Sequence, residues 1–156
     1  MVYGTFVHAG SLCCKPCPLF ERVTKLFCRH ELAYFRIFSC STGCCLDEIE
    51  TFSLSCRLND GIVFDFVTTP ELANIFLITG PITAKMVGFV LEAYNRCPKD
   101  CVVIAAGACA ISQGIYYKSY NDLKNAADIL PVDIFITGCP PSPEDLLKGL
   151  KKCAKI

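Results

Sequence analysis

The stretch 133-DIFITGCPPSPEDLLKGL-150 decides how the chain is read. Ile134–Phe135–Ile136 is a short apolar run of the kind that fills a buried strand. Gly138 lets the backbone turn sharply after it, and Pro140 and Pro141 cannot continue a sheet ladder. Ser142 then predicts a helix N-cap, with Pro143 at the first helical position and Asp145 three residues after the cap. Cys139 therefore lies in a stiff loop between a strand and a helix, a setting that suits a sulfur held toward a ligand.

Upstream, the same alternation repeats. Phe35–Ile37–Phe38 predicts a first strand. Residues 46–56 predict a helix with Leu46, Ile49, Phe52 or Ser53, and Cys56 roughly along one face. Strands follow at Ile62–Val67 and at Ile75–Ile78, the latter ended by Thr79–Gly80–Pro81. Thr83 is the expected cap of the next helix, which carries Met86, Val87, Val90, Leu91 and Tyr94 on one side. Val102–Ile104 predicts a strand running into AAGACA at 105–110, and residues 119–129 read as weakly helical. IFLITGP at 75–81 and IFITGCP at 134–140 are two similar strand ends. Strands alternating with helices predict an α/β domain: a parallel sheet with helices on both faces. Its strands read as continuous apolar runs, as doubly covered strands do. Two regions follow: a cysteine-rich N-terminal segment over residues 1–32 and the α/β domain over residues 33–156.

Apolar residues make up 53% of the 156, which fits a subunit that buries surface against partners. Fifteen basic and fifteen acidic residues cancel, which argues against a nucleic-acid partner. No apolar run reaches the roughly 20 residues of a membrane-spanning helix. The opening MVYGTFVHAGSLCCKPC lacks the pattern of a signal peptide. The chain shows no nucleophile–base pair. SCSTGCC at 39–45 is a poor version of a flavin phosphate loop. No complete reaction is expected of this chain alone.

Thirteen cysteines, an odd number without a signal peptide, point to metal or cluster ligation for some and packing for others. In an open parallel sheet, sites form beyond the carboxyl ends of the strands. Cys44 and Cys45 follow the first strand, Cys109 a middle strand and Cys139 the last, each near a glycine. Four thiolates on one edge are the ligand set of a 4Fe–4S cluster. A zinc site takes the same set, though usually as two short C-x₂₋₄-C pairs, and small buried side chains in tight turns are a third reading. Cys109 and Cys139 stand alone in sequence, and that dispersion favours the cluster. In the N-terminal segment, Cys14 and Cys17 form a C-x₂-C pair with Cys13, Cys28 and His30 nearby, the makings of a zinc site or a second cluster. His8 has no evident partner there.

Four stretches make the reading specific: GCCLDEIE at 43–50, LITGPITAKM at 77–86, VVIAAGACAISQGIY at 102–116 and LPVDIFITGCPPSPEDLLKGL at 130–150. On them, residues 36 to 150 resemble the small iron–sulfur subunit shared by respiratory complex I, where it is the 20-kDa subunit, and membrane-bound energy-converting nickel–iron hydrogenases. The resemblance implies a flavodoxin-like fold carrying one 4Fe–4S cluster beside the catalytic site of a larger partner subunit. Other iron–sulfur subunits, and indirectly membrane subunits, are implied as further partners, at the cytoplasmic face of a membrane. Carried over residue by residue, it implies Cys44, Cys45, Cys109 and Cys139 as ligands, with Cys40 as the alternative first ligand, and Glu48 in proton transfer from the first turn of its helix. Adjacent cysteines followed by a glutamate three residues later match the complex I branch. The C-x-x-C of the hydrogenase branch is absent, since Thr42 stands three residues before Cys45, whereas Thr79–Gly80–Pro81 is closer to that branch. Gln113 stands where a second glycine is usual, and Ser142 where arginine is frequent. The competing reading is a zinc-stabilised or cofactor-free flavodoxin-like module that bridges subunits, and metal content separates the two. Cys97 and Cys153 are expected to be packing residues.

Overall fold

Ile75–Thr79 is buried at every position, which a strand permits only when both faces of its sheet are covered. The computed structural model describes residues 33–55, 58–59, 61–119 and 122–153. Its elements in chain order are β1 (Ala33–Ser41), α1 (Cys44–Ser55), β2 (Leu58–Asn59), β3 (Ile62–Phe66), β4 (Ile75–Thr79), β5 (Ile82–Thr83) and α2 (Ala84–Arg96). β6 (Val102–Ala106), α3 (Ala108–Ser112), β7 (Leu123–Lys124), α4 (Ala126–Ile129), β8 (Ile134–Ile136) and α5 (Pro143–Cys153) follow. The expected N-terminal metal site at Cys13, Cys14, Cys17, Cys28 and His30, and the helix position Cys56, lie outside the described residues.

The main sheet runs β2-β3-β1-β4-β6-β8, with β2 antiparallel on one edge and the other five strands parallel. Counted among themselves, the parallel strands stand in the order 2-1-3-4-5, the flavodoxin-like order, which reverses between β1 and β4. Strand alternation splits the core in two. Ile75, Leu77, Ile104 and Ile134 pack with Ile49 and Phe52 of α1 and Leu146 and Leu150 of α5. Phe76, Ile78, Val103 and Ala105 face the other way, onto Val90 and Ala93 of α2, Ala110 of α3 and Ala126 of α4. Among the described residues, no helix is long and apolar enough to cross a membrane.

Several local expectations are corrected. α1 starts at Cys44 rather than at residue 46, because the chain turns at Gly43 and the Leu46 N–H donates back to the Gly43 carbonyl at 3.0 Å. Its buried face is therefore Cys45, Ile49 and Phe52, and Leu46 is exposed. On α2 the buried positions are Val90 and Ala93, flanked by Met86, Val87 and Tyr94, while Leu91 is exposed. Thr83 occupies the N-cap position of α2 in extended conformation without a side-chain cap bond, because it belongs to β5. The weak helix over 119–129 shrinks to Ala126–Ile129, since Leu123 and Lys124 pair antiparallel with Thr83 and Ile82.

The cap of α5 matches its sequence. The Asp145 N–H donates to Ser142 Oγ at 3.2 Å, and the Ser142 hydroxyl donates to the Asp145 carboxylate at 2.8 Å. That bond is the main reason the Asp145 carboxyl lies below its usual range, with Lys148 adding to it. Glu144 and Asp145 sit in the first turn and Lys151 and Lys152 in the last, both favourable to the helix dipole. Ser142→Ala is expected to lower stability by about 1 kcal/mol, read as an earlier urea midpoint at unchanged slope.

Candidate functional site

The carboxyl ends of four strands finish level. Ser41 is in register with Thr79, Thr79 with Ala106, and Ala106 with Ile136. The four loops that follow therefore leave one edge of the sheet together, at the side where open α/β sheets bind ligands. They are tied to one another through the backbone. Thr42 N–H donates to the Thr79 carbonyl at 3.3 Å, and the Thr42 hydroxyl to the Pro81 carbonyl at 3.2 Å. Gly107 N–H donates to the Ile136 carbonyl at 2.9 Å, and Ala108 N–H to the Gly138 carbonyl at 2.7 Å.

Each loop but one delivers cysteine. Cys44 and Cys45 open α1; Cys44 is exposed and Cys45 only 3% exposed. Cys109 lies in the first turn of α3 and is 5% exposed. Cys139 is exposed, ahead of a cis bond to Pro140. The loop after β4 delivers a donor instead, the Gly80 backbone N–H, directed at the Cys45 sulfur. Gly107 shows how closely the parts approach. At φ +91°, a Cβ there would stand 2.9 Å from Cys45 Sγ, so only glycine lets the β6 loop lie against that sulfur.

Cys45 and Cys109 are the two thiols whose ionisation the site opposes. Burial, then Cys44 and Cys109, push the Cys45 thiol up to about 11, opposed by the Gly80 N–H. Burial, then Cys139 and Cys44, raise Cys109, opposed by the Ile115 backbone N–H. Cys45 and Cys109 thus hold their protons more firmly than free thiols do, and a bound cation would displace those protons. The donor set suits an iron–sulfur cluster: four thiols from four chain positions, two of them buried, with backbone N–H groups directed at sulfur. Among the described residues, no three His, Cys, Asp or Glu side chains are grouped to share a single metal ion. In a four-iron cluster each thiolate binds a different iron.

Other expected residues fall elsewhere. Cys40 lies within β1 and packs in the core under α2, opposite Ile78, where burial and then Cys97 push its thiol up to about 11. Cys97 donates to the Ala93 carbonyl at 3.4 Å and meets Cys101, while Cys153, the last residue of α5, is buried in the core that α1 and α5 cover. Glu48 is half-buried on α1, one turn after Cys44. The helix begins at Cys44, so Glu48 opens its second turn, and Asp47 is the acid of the first. Gln113 takes the left-handed conformation at φ 66°, which explains the glycine expected there. Sequence reasoning missed the Gly80 and Ile115 backbone donors, which no side-chain pattern announces.

Comparison with known proteins matches residues 39–153 to the family described as NADH ubiquinone oxidoreductase, 20 Kd subunit. A subunit of the NADH-quinone oxidoreductase of Streptomyces griseus is 36% identical over 74% of this chain and 50% of the relative. A subunit of the F(420)H(2) dehydrogenase of Methanosarcina mazei is 36% identical over 69% of this chain and 58% of the relative. A subunit of the NADH-quinone oxidoreductase of Clostridium beijerinckii is 44% identical over 54% of this chain and 50% of the relative. The chain thus spans about half the length of the curated relatives it matches. Among solved structures, a chain of the membrane-bound sulfane sulfur reductase, an archaeal respiratory membrane complex, superposes with TM-score 0.68 at 31% identity. That superposition covers 88% of this chain and 74% of the other. The matched span holds the four loops of the sheet edge and all four of their cysteines, and the chain belongs to the family of the NADH–ubiquinone oxidoreductase 20-kDa subunit.

Proposed function

We propose that this chain is the electron-transfer subunit of a membrane-associated respiratory oxidoreductase. It holds one 4Fe–4S cluster on Cys44, Cys45, Cys109 and Cys139, beside the catalytic site of a larger subunit. The observation that carries this reading is the placement of Cys44, Cys45, Cys109 and Cys139 just beyond four level strand ends, with the β6 loop lying against the Cys45 sulfur at Gly107. The matched relatives are named as subunits of NADH-quinone oxidoreductase and F(420)H(2) dehydrogenase, and the matched structure is part of a respiratory membrane complex. Their names differ in electron donor and acceptor, so the role they support in common is the relay between the two.

Bound there, the cluster supplies reversible one-electron transfer. The chain's own residues do the rest. Cys45 and Cys109 ligate from the buried side, and their resistance to ionisation makes loading release protons. The Gly80 and Ile115 N–H groups offset negative charge on those sulfurs. Cys44 and Cys139 close the site on its exposed side. Next to it, Ile115 at 79% and Tyr117 at 66% exposure leave apolar surface bare, as a face for the large subunit would. The protein is held at the cytoplasmic face of the membrane through its partners.

Low-temperature electron paramagnetic resonance on the anaerobically purified, dithionite-reduced protein, with iron, sulfide and zinc assayed together, tests this. The expected result is about four irons per chain and one reduced-cluster spin. Folded protein that holds zinc or no metal would instead make it a bridging module.

Glu48 is proposed to carry a proton between the cluster side of α1 and the partner. Glu48→Gln is expected to slow turnover of the assembled complex by about 10²-fold at unchanged iron content and spin.

A further inference from the structure

Among the described residues, one buried side-chain oxygen has no hydrogen-bond partner: the hydroxyl of Thr79. The residue is 1% exposed. Buried hydroxyls nearly always find a partner, and an orphan calls for a reason. Its neighbours have theirs. Ser39 and Ser41 bond each other, and the Thr42 hydroxyl donates to the Thr79 and Pro81 carbonyls. Packing alone does not ask for a hydroxyl here, since valine has the same shape and suits a buried strand better.

Position supplies the reason. Thr79 is the last residue of β4, level with Ser41 and Ala106. Strand alternation sets it on the face of Ile75 and Leu77. That face is covered by α1, whose first turn carries Cys44 and Cys45. The next residue, Gly80, already directs its N–H at the Cys45 sulfur.

We propose that the Thr79 hydroxyl donates a hydrogen bond to a sulfur of the iron–sulfur group and raises its reduction potential. The inference rests on the cluster reading above. Donors to cluster sulfurs favour the more negative, reduced state, so losing one lowers the potential. Thr79 does not ligate; it tunes.

The test is a redox titration followed by paramagnetic resonance on the full chain in its complex, for the wild type, Thr79→Val and Thr79→Ser. Thr79→Val is expected to keep its iron and spin count while the one-electron reduction equilibrium moves about tenfold toward the oxidised form, about 59 mV lower. Thr79→Ser, which keeps the donor, stays near the wild-type potential. A fully loaded Thr79→Val at the wild-type potential overturns the proposal. If Thr79→Val does not load, the melting temperature of the iron-free chain decides. Unchanged melting means that the hydroxyl holds the group rather than tunes it, and a marked drop means that it has a protein partner; either overturns the proposal. A wild type that holds no iron would instead remove the cluster reading itself.

Discussion

Cys109→Ala and Cys139→Ala are each expected to abolish the signal of the proposed cluster and to bring iron from about four per chain to below one. Each removes one thiolate from a set that has no spare at its edge among the described residues. The nearest other cysteine in sequence to the first pair, Cys40, is turned into the opposite core against Phe76 and Ile78. It cannot reach around β1 to substitute. Cys40→Ala, Cys97→Ala and Cys153→Ala are therefore expected to keep full iron. The cost is in packing, about 1–2 kcal/mol for the buried Cys40 and Cys153 and less for the half-buried Cys97, and shows as a lower melting temperature. Cys45→Ala behaves like Cys109→Ala, because both thiols are buried at the same edge. The contrast between Cys40→Ala and Cys45→Ala thus separates core from edge within a short stretch of chain. Full iron retained in Cys109→Ala or Cys139→Ala would break the four-ligand assignment, and full loss in Cys40→Ala would move the first ligand into β1.

That contrast also marks where sequence stopped being informative. The strand at 75–79 was legible because an uninterrupted apolar run suits a doubly covered strand; the run at 134–136 also forms a strand, but at the sheet edge, where Ile134 and Ile136 are buried and Phe135 is exposed. The cap at Ser142 was legible because its three signals lie side by side in the chain. The choice between Cys40 and Cys44 was not. It depends on the phase of β1 and on the chain leaving it after Ser41 to start α1 at Cys44. β7 was misread as helix because its pairing with Ile82 and Thr83 joins distant parts of the chain and leaves no local trace. On α2 the buried stripe runs through Val90 and Ala93 and leaves Leu91 exposed, so the large apolar side chain was a poorer guide to the face than the small one. Thr79 did carry a signal, a hydroxyl at the end of an apolar run. In isolation it read as part of a strand end, and it gained meaning only when its oxygen proved buried and alone.

Gly107→Ala is the second large effect, and it acts on the site without touching a ligand. Gly107 adopts φ 91°, ψ 147°, a region that side-chain-bearing residues avoid. Strain alone costs about 1–3 kcal/mol. The added methyl would also stand 2.9 Å from Cys45 Sγ and 3.6 Å from Pro141 Cδ. Neither side has room to yield. The Gly107 N–H is held by the Ile136 carbonyl at 2.9 Å, and Cys45 is fixed in the first turn of α1 by the burial of Ile49 and Phe52. The sulfur is therefore pushed out of the set, and iron loading is expected to fall about tenfold or more, a displacement worth roughly 1.4 kcal/mol or above in binding. Gly61→Ala is the control. Gly61 has φ 79° with nothing within 4 Å of an added Cβ, so that variant carries backbone strain without a contact. It should melt earlier and keep its iron. If Gly107→Ala also keeps full iron, the close approach of the β6 loop to Cys45 does not govern the site. If Gly61→Ala loses iron as well, backbone strain anywhere in the domain suffices, and the glycine at 107 has no special part in holding the sulfur.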